Sequence, residues 1–197
     1  MKTEIEVKFL NIDHDELRKL LLLNGGKCVT KLRLMKRAII DYPDRRLQKK
    51  PSNSYIRVRD EGDKTTLTYK KFDSLSVDGA KEIETIVKSF EDTVNIFTAI
   101  GLEVESLQES RRETWEIMGS KVELDEWPWL DPYIEIEGPS EGHIRKVSAK
   151  LGLDWDKGVF GDVMVAYRAQ YPTLSLDDTV GNISEVKFGS PLPSLFK

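Results

Sequence analysis

Three stretches of this chain repeat one pattern. Glu4-Ile5-Glu6-Val7-Lys8-Phe9, Lys81-Glu82-Ile83-Glu84-Thr85-Ile86-Val87 and Tyr133-Ile134-Glu135-Ile136-Glu137 each set charged residues two apart. A period of two is the signature of a strand with two different faces. One face is apolar and needs a cover; the other carries little but charge. Each stretch leads into a helical pattern. Asp13 caps a segment that Gly25-Gly26 ends, Phe90 to Ile100 stops at Gly101, and Ser140 to Leu151 stops at Gly152. Strand then helix, three times over, reads as a pseudo-repeat.

Further alternating runs lie between these units: Leu34 to Ile40, Tyr55 to Arg59, Thr65 to Lys70, Arg112 to Ile117 and Lys121 to Asp125. Asp60-Glu61-Gly62-Asp63 and Met118-Gly119-Ser120 have the composition of hairpin turns. About eight strands, mostly neighbours in sequence, make a largely antiparallel sheet with flanking helices, curved or closed: a mainly β, α+β fold. At 197 residues one domain is expected, over residues 1–171, with an extended tail over 172–197 where periodicity fades. Gln48 to Ser54 reads as a mobile loop.

Composition narrows the chemistry. Hydrophobic residues are 39% and charged residues 32%, which argues against disorder. With 30 Lys plus Arg against 34 Asp plus Glu, the chain is not a globally basic partner for a nucleic-acid polymer. No apolar run approaches the roughly 18 residues of a membrane span, and Met1-Lys2-Thr3-Glu4 opens with charge where a secretory signal needs an apolar core. The expectation is a cytoplasmic protein without a membrane partner. Cys28 is the only cysteine, so an internal disulfide and a thiolate-rich zinc site are excluded, and it is expected as a small buried hydrophobe. His14 belongs to a helix start and His143 to a solvated helix face. Carboxylates and cations must carry any chemistry.

Both are abundant on the charged faces. Glu4, Glu6, Glu82, Glu84, Glu123, Asp125, Glu135 and Glu137 come in pairs two apart, beside Lys8, Arg57, Arg59, Lys70 and Arg112. A solvated sheet face and a functional interior explain this pattern equally well. Paired hard oxygen ligands suit Mg2+ or Mn2+, and convergent cations suit a polyanion bridged by those ions. If the charged face closes inward, Arg57 and Arg59 would fork onto phosphate oxygens and Lys8 and Lys70 would act as point charges.

Glu4-Ile5-Glu6-Val7-Lys8 resembles the Glu-x-Glu-x-Lys signature that opens the CYTH superfamily, the triphosphate tunnel metalloenzymes, which includes class IV adenylyl cyclases and thiamine triphosphatases. Tyr55 to Arg59, Leu67 to Lys70, Glu82 to Glu84, Val122 to Asp125 and Ile134 to Glu137 follow in the order of that family. The resemblance runs from residue 4 to about residue 170. It implies a closed eight-stranded antiparallel tunnel that processes triphosphates with Mg2+ or Mn2+. By matching positions, it implies metal-site carboxylates at Glu4, Glu6, Glu123, Asp125, Glu135 and Glu137. It further implies a triphosphate cradle of Lys8, Arg57, Arg59, Lys70 and Arg112, with Lys8 and Glu84 taking part in catalysis. Two positions depart from the pattern. Ser110 stands where many members place a basic residue, and Arg37, taken here with the substrate-binding set, lies where cyclase-like members often carry an acidic one.

The expected function is divalent-metal-dependent hydrolysis of an inorganic, nucleoside or thiamine triphosphate. The alternatives are a class IV adenylyl cyclase that makes cyclic AMP and pyrophosphate, and a non-catalytic binder of polyphosphate or a phosphorylated ligand. A homodimer is left open. Trp127-Pro128-Trp129 is expected to pack against a core in preference to stacking on a base. Tyr167-Arg168 either closes one tunnel mouth or forms part of an amphipathic surface.

Overall fold

The structure is a computed structural model that describes residues 1–197. In chain order it runs β1 (Lys2–Glu4), β2 (Glu6–Leu10), α1 (His14–Leu23), β3 (Lys27–Asp41), β4 (Ser54–Asp60), β5 (Thr65–Phe72) and β6 (Ala80–Val87). Then come α2 (Phe90–Ala99), β7 (Glu103–Ile117), β8 (Ser120–Glu126), β9 (Tyr133–Glu137), α3 (Glu141–Lys150), α4 (Met164–Gln170) and β10 (Glu185–Val186). All the ladders are antiparallel except that of β10 with β7.

The first strand closes the sheet. β1 pairs with β6 and β2 pairs with β9, so two halves of one stretch, interrupted at Ile5, join the opposite ends of the path β6-β5-β4-β3-β7-β8-β9. At the interruption Gly138 N donates to Ile5 O at 3.1 Å and Glu6 N donates to Val77 O at 3.0 Å, so the break leaves these backbone groups paired. With β1 and β2 taken together the wall has the expected eight strands, and β10 is a two-residue addition.

The apolar outer face of this wall is covered where the alternation requires. Val7, Phe9, Val122, Leu124, Ile134 and Ile136 pack under Leu17 and Leu21 of α1 and Ile144 and Val147 of α3, all buried, with Ile5 half-buried at the edge. Full burial of such a side chain stabilises by roughly 1.5–3 kcal/mol, so this face fixes the strand register and turns the charged residues inward. Asp13 caps α1 as read from the sequence, and serines cap α2 and α3. Asp13 accepts from Asp15 N and Glu16 N, Ser89 from Asp92 N and Ser140 from His143 N. A smaller cluster of Ala38, Ile40, Val58 and Leu102 lies under α2.

β3 and β7 are longer than their alternation suggests. Residues 27–35 pair with β7 alone, since β4 joins only from Lys36, and register shifts at Cys28/Thr30 and Thr30/Arg33 break the period. With no second neighbour, this half of β3 leaves Val29, Leu32 and Leu34 exposed. Cys28 is exposed as well, which corrects the expectation of a buried thiol.

Residues 172–197 have little regular structure but are packed. Leu174, Val180, Val186 and Phe196 are buried with Trp127, Tyr133, Met164 and Tyr167 in a second apolar cluster. The Gln48 to Ser54 loop begins in an ordered way, since the buried carboxylate of Asp41 accepts from Tyr42 N, Leu47 N and Gln48 N.

Candidate active site

Depth in the barrel can be read along two inward rows. On β8 the side chains are 1% exposed at Asp125, 16% at Glu123 and 53% at Lys121. On β9, Tyr133 is buried, Glu135 is 13% exposed and Glu137 is 26% exposed. Lys121 and Glu137 therefore mark an open mouth, and Asp125 and Tyr133 the deep end. The second apolar cluster floors that end, with Tyr167 edge-on to Trp127 and stacked on Phe196. The C-terminal segment seals it against β7, where Ser106 Oγ lies within hydrogen-bonding distance of Ile183 O at 2.6 Å and Val180 O at 3.3 Å. Tyr167 thus closes one end, as one of its two readings held, while Trp127 packs as expected.

Between floor and mouth one network joins six of the sequence-derived residues: Glu6, Lys8, Arg112, Glu123, Asp125 and Glu135. Lys8, 2% exposed, lies 3.0 Å from Glu6 and 2.9 Å from Glu135. Arg112 donates to Asp125 through Nε at 2.7 Å and NH2 at 2.6 Å, to Glu135 at 2.7 Å, and also to Glu123. Around it stand separate pairs: Lys70 with Glu4 at 2.5 Å, Arg57 with Thr68 and Glu84, and Arg59 with Glu61 at 2.6 Å. Glu4, Glu6 and Glu135 are enclosed. Glu137 is set apart near the mouth with Lys2 and Lys121, and Glu84 stands at the rim, one third exposed.

The electrostatics follow from burial set against these partners. Burial alone would lower the Lys8 pKa, but Glu135 and Glu6 raise it far above the ordinary lysine value, so the group stays an ammonium. Burial works against ionised Glu135, but Lys8 and Arg112 hold its pKa well below the carboxylate range. Burial pushes Glu123 up to about 7; Arg112 opposes this, and the like charges of Glu135 and Asp125 add to it. Glu82 is pushed up to about 7 by burial and by neighbouring Glu4. Glu123, Asp125 and Glu135 offer carboxylate oxygens within 4.8 Å of one another. That is the hard-donor set that Mg2+ or Mn2+ takes, so these residues fit such an ion.

Sequence reasoning gave Glu61 no role beyond a turn. It is 3% exposed and clamps Arg33, Arg59 and Lys64. The available signal was its place two residues beyond Arg59, in step with Arg57 and Arg59, on a hairpin whose other acids are half-buried (Asp60) or exposed (Asp63). Arg37 and Ser110, each a departure from the family pattern, meet: Arg37 NH2 donates to Ser110 Oγ at 2.5 Å.

The CYTH domain family model matches residues 2–161. The chain belongs to the CYTH family. Among curated proteins none matches it. Among solved structures, a protein from Pyrococcus horikoshii is similar at 21% identity and a TM-score of 0.65, covering 79% of this chain and 93% of that one. A Vibrio parahaemolyticus protein, named as a candidate adenylate cyclase, gives a TM-score of 0.71 at 12% identity over 84% of this chain and 98% of its own. A Hippeastrum protein, named as a candidate adenylyl cyclase with a dominant triphosphatase activity, gives 0.55 at 17% identity over 85% and 96%. At these identities the likeness establishes a shared fold. This CYTH chain has no helix long and apolar enough to cross a membrane.

Proposed function

We propose that this protein hydrolyses a triphosphate-containing small molecule in its tunnel with the help of a divalent cation. One observation carries the reading: Lys8, Arg37, Arg57, Arg59, Lys70 and Arg112 converge on one largely enclosed space that also holds a carboxylate triad fit for a hard cation. A binder of phosphate alone would gain from the cations but be penalised by the carboxylates.

Glu123, Asp125 and Glu135 would hold the ion, with Glu4 and Glu6 as further enclosed carboxylates and Glu137 nearer the mouth. Bound there, Mg2+ or Mn2+ would supply Lewis-acid neutralisation of phosphate charge and activation of water. The side chains do the rest. Arg57 and Arg59 orient the phosphate chain by forked contacts. Lys8 and Lys70 are fixed positive charges aimed at oxygens whose charge grows as the phosphoanhydride bond breaks. Glu84, at the rim and accepting from Thr68 Oγ1 at 2.8 Å, takes the proton of the attacking water. The new bond joins the water oxygen to phosphorus, and the electron pair of the broken bond leaves on the departing phosphate. Trp127 gives its face to Arg37 at 4.4 Å and is 5% exposed, so it packs into the floor and offers no open face to a base there.

The test is product identity. ATP, inorganic tripolyphosphate and thiamine triphosphate are each incubated with Mg2+ and with Mn2+. Release of orthophosphate or pyrophosphate with the matching hydrolysed remainder is expected. Cyclic AMP from ATP would establish the cyclase instead, and tight binding without turnover would establish a binder.

A further inference from the structure

Arg37 differs from every other cation in the tunnel. Lys8, Arg57, Arg59, Lys70 and Arg112 each face a carboxylate. Arg37 is 8% exposed and has no carboxylate partner. Its NH2 goes to the neutral Ser110 hydroxyl, its Nε has no hydrogen-bond partner, and its Cζ lies over the Trp127 ring at 4.4 Å. After burial itself, Arg59, Arg57 and Arg112 are what pull its pKa down, and Asp125, itself held by Arg112, is the carboxyl group that feels its charge. Arg57 Nε, on the neighbouring strand, also lacks a partner. A buried cation among cations, with unspent donors, is a costly arrangement that an anion would relieve. Through Trp127 this arrangement rests on the floor, at the end of the tunnel away from Lys121 and Glu137.

We propose that Arg37, with Ser110 and Arg57, forms a blind-ended subsite for a terminal, unesterified phosphate group. Resting on the triphosphate reading above, this inference adds an orientation and a specificity. The phosphate chain enters end-first, and whatever it is esterified to faces the mouth. Inorganic tripolyphosphate and a nucleoside triphosphate both have a free end to seat there. A triphosphate esterified at both ends has none, because the C-terminal segment and α4 close the way through.

Arg37→Met keeps the length of the stem and its contact with Trp127 while it removes charge and donors; Arg37→Lys keeps the charge. Calorimetric titration of native protein and both variants with tripolyphosphate, ATP and P1,P3-di(adenosine-5′) triphosphate, each with Mg2+, tests the proposal. Native protein should bind the first two and bind the doubly esterified compound at least tenfold more weakly. Arg37→Met should lose about ten- to over a hundredfold for tripolyphosphate and ATP, and Arg37→Lys should recover part of it. Thermal unfolding of ligand-free Arg37→Met should be no lower than native, since like-charge repulsion is relieved; a merely structural arginine would lower it. Equal native binding of the doubly esterified compound, or native-like affinity in Arg37→Met, would overturn the subsite and leave the tunnel reading standing. Absence of any triphosphate binding by native protein would overturn both.

Discussion

Arg112 holds Asp125 in a two-pronged bond, Nε to Oδ1 at 2.7 Å and NH2 to Oδ2 at 2.6 Å, and the same guanidinium reaches Glu123 and Glu135. These are the three carboxylates that suit a divalent cation. A divalent ion bound there would compete with the guanidinium for the same oxygens, and phosphate is what would draw the guanidinium away. By linkage, triphosphate and metal should each tighten the binding of the other.

Removing that competitor should have opposite effects on the two ligands. Arg112→Met is expected to bind Mn2+ alone at least tenfold more tightly than native protein, and tripolyphosphate about ten- to over a hundredfold more weakly. Titration calorimetry reads both. Weaker Mn2+ binding in the variant would mean that Arg112 builds the carboxylate cluster and does not compete for it.

Glu61 provides a pH prediction. Burial works against its charge, but Arg59 and the Arg33 hydrogen bond win and lower its pKa to about 2, against an ordinary 4.5. A carboxylate lowered on folding contributes stability that is complete above its unfolded pKa and is lost as pH falls from about 4.5 toward 2. Glu61→Gln should be less stable at neutral pH by about 1.5–3 kcal/mol, with a flatter loss of stability across that acid window. Because it frees Arg59, it should also bind tripolyphosphate more tightly. Denaturant unfolding at stepped pH and one titration check this; an unchanged acid limb would contradict it.

Phe196 tests the floor. Its ring centroid lies 5.2 Å from that of Tyr167 and 4.8 Å from that of Tyr171, and the residue, which ends the short helical turn Ser194–Phe196, is 5% exposed. Phe196→Ala should cost about 3 kcal/mol or somewhat more in unfolding free energy. A loss under about 0.5 kcal/mol would show that the C-terminal segment is not held on the barrel in solution.

The alternation of Glu4 to Phe9 and Tyr133 to Glu137 made the inward and outward faces readable, because one pleat puts every second residue on the helices. The cap Asp13 was an equally local signal. What could not be read depends on contacts between distant parts of the chain. Nothing near Lys27 to Arg33 announces a strand whose only neighbour is β7, and nothing in residues 172–197 alternates, since that segment is fixed by Trp127, Tyr167 and the Ser106 hydroxyl. Glu61 looked like turn composition because its burial depends on Arg33, far back in the sequence, closing over it together with the nearby Arg59. Glu137 and Glu135 share a face, as the period says, but their different depth is a property of the closed barrel.

On the proposed reading the cations of the tunnel hold phosphate while its carboxylates hold metal, and orthophosphate release from tripolyphosphate measures this directly. Glu135→Gln should lose activity and partly recover it as Mg2+ or Mn2+ is raised. The double variant Arg57→Ala/Arg59→Ala should lose substrate affinity by a hundredfold or more, given roughly 1.5–3 kcal/mol for each charged hydrogen bond, and should not recover at saturating metal. Native turnover and affinity in both variants would contradict the account.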